Sequence, residues 1–382
     1  MSEWKKVALD KMGVVSRGKS KHRPRNDARL FGGKYPFIQT GDIGAAGLYV
    51  QNYSQTYNEE GLAQSKLWDK DTLCITIAAN IADTALLAFP ACFPDSVMGF
   101  VPYKNVSNVK FVKYCFDILK KDCQQISQGT AQDNLSWKKL STILFPCPPI
   151  EVQNRIVAIL SRYDTLIENY QKQIKLLEEA AQRLYKEWFV ELRFPGHENT
   201  KMVDGLPEGW EITKLGQLAE FKRGKTITKK EAIEGNIPVV AGGLEPAYYC
   251  NKSNTTNRVI TISGSGANAG YTRMYFEKVW ASDCSFVDTS TTDYLHFVFC
   301  FLRENKTVID NMQKGAAQPH VYAKDINALE VLSPTKDILS LFEQKASKIF
   351  DIIASKQSQI RLLAEARDRL LPKVMGGEME IN

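Results

Sequence analysis

Four histidines and eight isolated cysteines are all the imidazole and thiol groups that this 382-residue chain offers toward a metal or redox centre. Cys74, Cys92, Cys115, Cys123, Cys147, Cys250, Cys284 and Cys300 form no Cys-x-x-Cys pair, which argues against a zinc finger or a dithiol motif and leaves reduced packing residues. Long apolar runs are missing too. The most apolar stretch, Thr84 to Phe93, is short and contains Pro90, so no segment reads as a membrane span. Met1-Ser-Glu-Trp-Lys-Lys is not followed by the hydrophobic core of a signal peptide, and a cytoplasmic location is expected. Nor is there a Walker loop, a Gly-x-Ser-x-Gly elbow or a His-Glu-x-x-His pair, so the isolated chain is not expected to be an enzyme.

Two near misses sharpen that exclusion. Gly264-Ser-Gly266-Ala-Asn-Ala-Gly270 follows a predicted strand, but Tyr271-Thr-Arg-Met-Tyr-Phe276 after it reads as another strand. A dinucleotide turn needs a helix there, whose N-terminus holds the phosphates. Cys147-Pro-Pro-Ile150 lacks the amide or carboxylate with which an Asp/Asn-Pro-Pro-aromatic motif accepts hydrogen bonds from an adenine amino group. No cofactor is expected in this chain.

What is present is a soluble composition, 44% hydrophobic and 24% charged, in a chain too long for one ordinary core. The sequence is also written twice. Trp4, Leu9 and Arg17-Gly18-Lys19-Ser20 recur at one offset as Trp210, Leu215 and Arg223-Gly224-Lys225-Thr226. Gly129-Thr-Ala-Gln132 and the run from Ile174 to Arg183 recur, at a smaller common offset, as Gly315-Ala-Ala-Gln318 and the run from Ile360 to Arg369. Each half therefore has shared ends around a middle of its own, and the first middle is longer.

Ile156, Leu160, Tyr163, Ile167, Tyr170, Ile174, Leu177, Ala181, Leu184 and Trp188 alternate spacings of four and three, a heptad seam. Its counterpart runs from Phe342 to Val374, interrupted only by Lys356 and Arg367. Each helix would extend roughly 50 to 60 Å at 1.5 Å per residue, too long to hide in one small domain. Pro146, Pro148 and Pro149 stop any helix before the first, Pro334 does so before the second, and Pro372 is expected to end the second. Between these ends, runs such as Leu73 to Ile77, Val97 to Pro102, Arg258 to Ile262 and Val279 to Val287 read as strands. The domains are drawn at 1–148 and 206–334 for two strand-rich globules, 149–192 and 335–375 for the helical regions, 193–205 for a linker and 376–382 for a tail.

The net charge of +6 is modest, but its placement is informative. Arg17, Lys19, Lys21, Arg23, Arg25 and Arg29 face one acid, Asp27, and Lys222, Arg223, Lys225, Lys229 and Lys230 form a second cluster at the equivalent place. Both suit phosphate contacts, with Ser20 and Thr226 beside them. A solvated face is the alternative for any one residue taken alone. For base edges, Ser263, Ser265, Asn268 and Arg273 offer donors and acceptors on a glycine loop expected to be exposed, or else they shape a turn. Gln132 and Gln318 either contact DNA or cap the approach to the helices. Arg155, Arg162, Lys172, Lys175, Arg183 and Lys186 are balanced by acids, so the first helical region is expected to meet proteins rather than DNA.

These features resemble the specificity subunits of Type I restriction-modification enzymes over nearly the whole chain. The carrying features are the Trp-x-x-x-x-Leu openings, the Gly-Thr-Ala-Gln132 and Gly-Ala-Ala-Gln318 blocks, and above all Leu184-Tyr-Lys-Glu-Trp-Phe-Val-Glu-Leu-Arg-Phe-Pro-Gly-His197 leading to Leu206-Pro-Glu-Gly-Trp210. The resemblance implies an α+β architecture of two target recognition domains held apart by two antiparallel helices in a coiled coil. Each domain would read half of a split site on double-stranded DNA, about one duplex turn (~34 Å) from the other. The differing middles then imply an asymmetric target. It also implies docking of two modification subunits, which bring S-adenosylmethionine and methylate adenine, and of restriction subunits. A recognition subunit of a fused restriction and modification system is the near alternative. A cryptic methyltransferase or nuclease and a purely structural coiled coil are the distant ones.

Overall fold

Short β-branched and aromatic runs bounded by glycine, proline and asparagine cannot bury a face alone, and in the computed structural model of the chain they gather into small sheets backed by helices. The structure describes residues 4–127, 134–313, 319–377 and 379. In chain order the first half holds β1 (Lys6–Ala8), β2 (Gly13–Arg17), β3 (Phe31–Phe37), α1 (Thr40–Ala45), β4 (Tyr49–Val50), β5 (Gln55–Tyr57), α2 (Glu59–Ala63), β6 (Leu73–Thr76), β7 (Thr84–Leu87), β8 (Val97–Pro102), α3 (Val109–Ser127), α4 (Trp137–Leu140), β9 (Leu144–Pro146) and α5 (Ile150–Tyr185). The second half holds β10 (Met202–Val203), β11 (Leu206–Pro207), β12 (Glu211–Lys214), α6 (Leu215–Leu218), β13 (Lys222–Arg223), β14 (Ile237–Val240), β15 (Tyr248–Cys250), β16 (Val259–Ser263), β17 (Thr272–Tyr275), β18 (Trp280–Ala281), β19 (Cys284–Asp288), α7 (Leu295–Glu304), α8 (Lys306–Asn311), α9 (Ala323–Asn327), β20 (Glu330–Ser333) and α10 (Lys336–Met375).

The chain divides into two compact units, Met1–Tyr170 with Gln359–Asn382, and Gln171–Ser358. In the first, a five-stranded sheet runs β2-β8-β6-β7-β4. Its middle strand β6 is buried on both faces, because Leu73 and Ile75 pack with Phe111, Cys115 and Phe116 of α3 while Cys74 packs with Trp68 and Phe93. In the second unit a four-stranded sheet runs β13-β19-β16-β17, the same order by repeat position, and α7 covers it as α3 covers the first. The pair β1-β9 recurs as β12-β20 at the root of each long helix. The halves part company between their first and third sheet strands. There both units have a small antiparallel pair, β3-β5 and β14-β15, but the first adds α1, β4 and α2 around its pair, which is closed by Phe37 stacked on Tyr57 at 4.1 Å.

The seams pack with reversed sense in both units. Ile156 and Leu160 share a cluster with Leu371 and Val374 in the first, and Ala181 and Tyr185 share one with Phe342 and Ala346 in the second. This is the two-globule, two-helix α+β arrangement expected from the resemblance. One expectation fails: α10 does not stop at Pro372 but runs through it to Met375. A proline forfeits its own N–H bond and strains the preceding turn, yet Leu371, Val374 and Met375 on either side are buried, and Gly376 N–H still donates to the Pro372 carbonyl at 2.8 Å. Among the described residues, no helix is long and apolar enough to cross a membrane.

Candidate nucleic-acid interface

Both basic clusters begin where the edge strand of a sheet gives out. β2 ends at Arg17 and β13 at Arg223, and in each repeat the next residue is a glycine pressed against a neighbouring loop. A Cβ on Gly18 would lie 2.3 Å from the Pro94 carbonyl oxygen, and one on Gly224 would lie 2.4 Å from that of Ser282. Only glycine allows this approach. Backbone bonds then pin the following residues, Gly18 N–H to Val97 O at 2.8 Å and Lys19 N–H to Phe93 O at 3.2 Å in the first repeat. Gly224 N–H to Cys284 O at 2.8 Å and Lys225 N–H to Ala281 O at 2.9 Å do the same in the second. Each Arg-Gly-Lys is thus a fixed backbone carrying two exposed cations.

Beyond that shared element the clusters differ in how far their charge is already committed. In the first, Arg23 and Arg25 both pair with Asp95, and Arg23 also donates to the Ser20 and His22 carbonyls at 2.7 and 2.8 Å. Arg29 lies 2.7 Å from Asp27, whose carboxyl is held well below the usual carboxylate range by the Arg29 side chain and backbone and then by His22. Arg17 donates to the Asp95 carbonyl at 2.9 Å. Lys19 and Lys21 are exposed and have no acidic partner among the described residues. Ser20 is only 5% exposed, so it does not offer its hydroxyl beside the phosphate contacts as the sequence suggested. In the second cluster Lys222, Arg223, Lys225, Thr226, Lys229 and Lys230 are all exposed, and Arg223 has only a loose pairing with Asp283 at 3.9 Å. Trp280 Nε1 holds the Lys225 carbonyl at 2.6 Å, leaving its ammonium outward.

The glycine loop is less open than expected. Ser263 is buried at the end of β16 and donates to Gly242 O at 3.2 Å, because the loop at 242–245 folds over it. Asn268 reaches the same carbonyl at 3.4 Å, Ser265 bonds Asp283, and Arg273 donates to Leu244 O at 2.8 Å while its guanidinium lies over the Tyr275 ring. Ser263, Asn268 and Arg273 thus hold the loop at 242–245 and Ser265 holds Asp283, which matches the turn-shaping alternative, while Arg273 keeps further guanidinium N–H groups. After a short turn at Gly266–Asn268 the chain enters β17, not a helix. Gln132 and Gln318 lie outside the described residues.

The structure adds residues that the sequence reading passed over. His320 and Tyr322 stack at 5.9 Å, and with Arg223, Gly264 and Asp283 they line a small recess at the start of the basic cluster. Their only sequence signal is position, immediately after the Gly315-Ala-Ala-Gln318 block.

The family model described as Type I restriction modification DNA specificity domain matches residues 1–179 and again 207–367. The chain is 25% identical to the Type I restriction enzyme MjaIX specificity subunit of Methanocaldococcus jannaschii, over 99% of this chain and 94% of that protein. It is 26% identical to the Type I restriction enzyme EcoR124I/EcoR124II specificity subunit of Escherichia coli, over 42% of this chain and 41% of that protein. Among solved structures, the Type-I restriction-modification system S subunit from M. genitalium shares the fold, with a TM-score of 0.58 at 17% identity over 97% of this chain and 96% of that one.

Proposed function

The chain belongs to the Type I restriction modification DNA specificity family, matched once in each half, and from that membership we propose that it is the target-reading subunit of a restriction-modification complex. The observation that carries the reading is the repetition of one basic element, Arg17-Gly-Lys19 and Arg223-Gly-Lys225, at the end of the same edge strand in two sheets of the same order. Pinned glycines hold the backbone and outward cations suit phosphates, so each unit has a means of settling on a duplex.

The two units would then read different half-sites, since α1, β4 and α2, which the first adds around its β3-β5 pair, have no counterpart around the β14-β15 pair of the second. The long helices would fix the unread gap and dock two modification subunits. Leu166 and Leu176 on α5 and Leu362 on α10, 41%, 63% and 56% exposed, are apolar side chains on these helices that a partner could cover. Methylation of adenine and its S-adenosylmethionine would reside in those partners and cleavage in restriction subunits, this chain contributing recognition without catalysis, in the cytoplasm where its DNA lies.

Selection from random duplexes tests the reading. The chain purified with its modification partner should enrich sequences with two invariant blocks at one fixed separation. A selected pool without shared blocks would overturn it.

A further inference from the structure

Asp164 of α5 is 4% exposed, and in the first unit it receives two donors from two other elements. Tyr114 of α3 donates its hydroxyl at 2.5 Å, and Arg367 of α10 donates a guanidinium N–H at 2.6 Å. Globule helix, own long helix and returning helix end thus meet on one buried carboxylate. The shared starts of α3 and α7 at Val109 and Leu295, and of α5 and α10 at Ile150 and Lys336, put both repeats in one register. In that register Tyr114 corresponds to Cys300, Asp164 to Phe350 and Arg367 to Ala181. These three are 1%, 2% and 1% exposed, and Cys300 Sγ lies 4.0 Å from the Ala181 carbonyl. The ionic junction of the first unit thus has three buried side chains without charge at the equivalent places in the second, where Cys300 meets Ala181 and Phe350 stacks on His296 at 4.8 Å. Beside the apolar junction, Gln182 donates to Cys300 O at 3.1 Å and to Glu304 at 2.8 Å, and Lys186 pairs with Glu304 at 3.1 Å. The first unit has Asp368, Ile118 and Pro372 at those places, which cannot make that set.

We propose that these junctions are two different keys, each admitting the helix end of the other repeat and rejecting that of its own. The end of α5, with Ala181, is the repeat equivalent of the end of α10, with Arg367. If the end of α5 from a second copy entered the first unit, alanine would face Asp164 and leave a buried carboxylate with a single hydroxyl. If the end of α10 entered a second copy's second unit, a guanidinium would take the buried place of the Ala181 methyl, where Phe350 stands at the repeat position of the Asp164 carboxylate. Both costs fall only on the wrong pairing, because a buried charge without its partner is strongly unfavourable while matched ionic and matched apolar junctions are both tolerated. A single polar residue in a heptad seam selects partners in the same way. The duplicated chain therefore pairs unlike repeats and does not assemble copies through like ones.

The test co-expresses two differently tagged full chains and measures how much of one is captured with the other. Two variants make the keys identical, Tyr114→Phe/Asp164→Leu/Arg367→Ala giving two apolar junctions and Ala181→Arg/Phe350→Asp/Cys300→Tyr giving two ionic ones. Both should remain folded and raise capture about tenfold over the wild type, while Arg367→Ala alone, a mismatched key, should lower the melting temperature most. Capture equal to wild type in both variants, equally strong capture by the wild type itself, or failure of both matched variants to fold would overturn the proposal.

Discussion

Arg223 is 71% exposed at its side chain and pairs only loosely with Asp283, at 3.9 Å, whereas Arg25 is tied to Asp95. A loosely held cation exchanges its neighbour for a phosphate at small loss. For the complex with its modification partner, Arg223→Ala should weaken binding to every duplex alike and lower the slope of log K against log salt by about 1. Arg25→Ala should change the slope less, and salt titrations with specific and unrelated duplexes read both; an unchanged slope for Arg223→Ala would remove it from the phosphate contact. Asp288 makes a second residue-scale case. Burial pushes its carboxyl up, but the Ser290 hydroxyl and the Thr256 and Ser290 N–H groups together hold it below the ordinary value. A group depressed in the folded state adds stability that is present above its unfolded pKa of about 3.9 and lost as pH falls through the lower folded value. Asp288→Asn should therefore cost about 1 to 2 kcal/mol at pH 7, a deficit that shrinks in urea titrations carried below about pH 4. A deficit constant with pH would contradict the assignment. The Arg-Gly-Lys elements were legible in the sequence because glycine beside charge, twice, has a backbone cause. Burial of Ser263 was not, because it depends on the Gly242 carbonyl arriving from a distant loop.

The long helices were the most legible elements, since a heptad seam needs only local periodicity. The Pro372 stop was misread because local chemistry does not show that Leu371, Val374 and Met375 are anchored by the first unit's core. That anchoring carries a penalty which substitution should reveal. Pro372→Ala restores an N–H to the helix and is expected to stabilise the chain by about 2 kcal/mol, the helical gain less the flexibility returned to the unfolded state. Chemical denaturation reads this directly, and no gain would mean that the helix accommodates the proline without strain. The interruptions at Lys356 and Arg367 were visible as flaws in the seam. That Arg367 meets Asp164 required the fold, as 203 positions separate them.

Over the whole molecule, repetition explains more than any single motif. Two sheets of one strand order, two root pairs and two long helices follow from one duplicated plan, and the sequence showed it through paired offsets. The place where the halves diverge, α1, β4 and α2, is where two readers with a common backbone would acquire different targets. The sequence marked the longer first middle but not that its β3-β5 pair has a small aromatic core of its own, which rests on long-range pairing of Phe31, Phe37 and Tyr57. The most direct test of the central claim is a map of adenine methylation across a host genome expressing the chain with its modification partner. Two different half-sites at a fixed gap, methylated only when this chain is present, are the predicted result; methylation at a continuous or palindromic site, or unchanged without the chain, would contradict it.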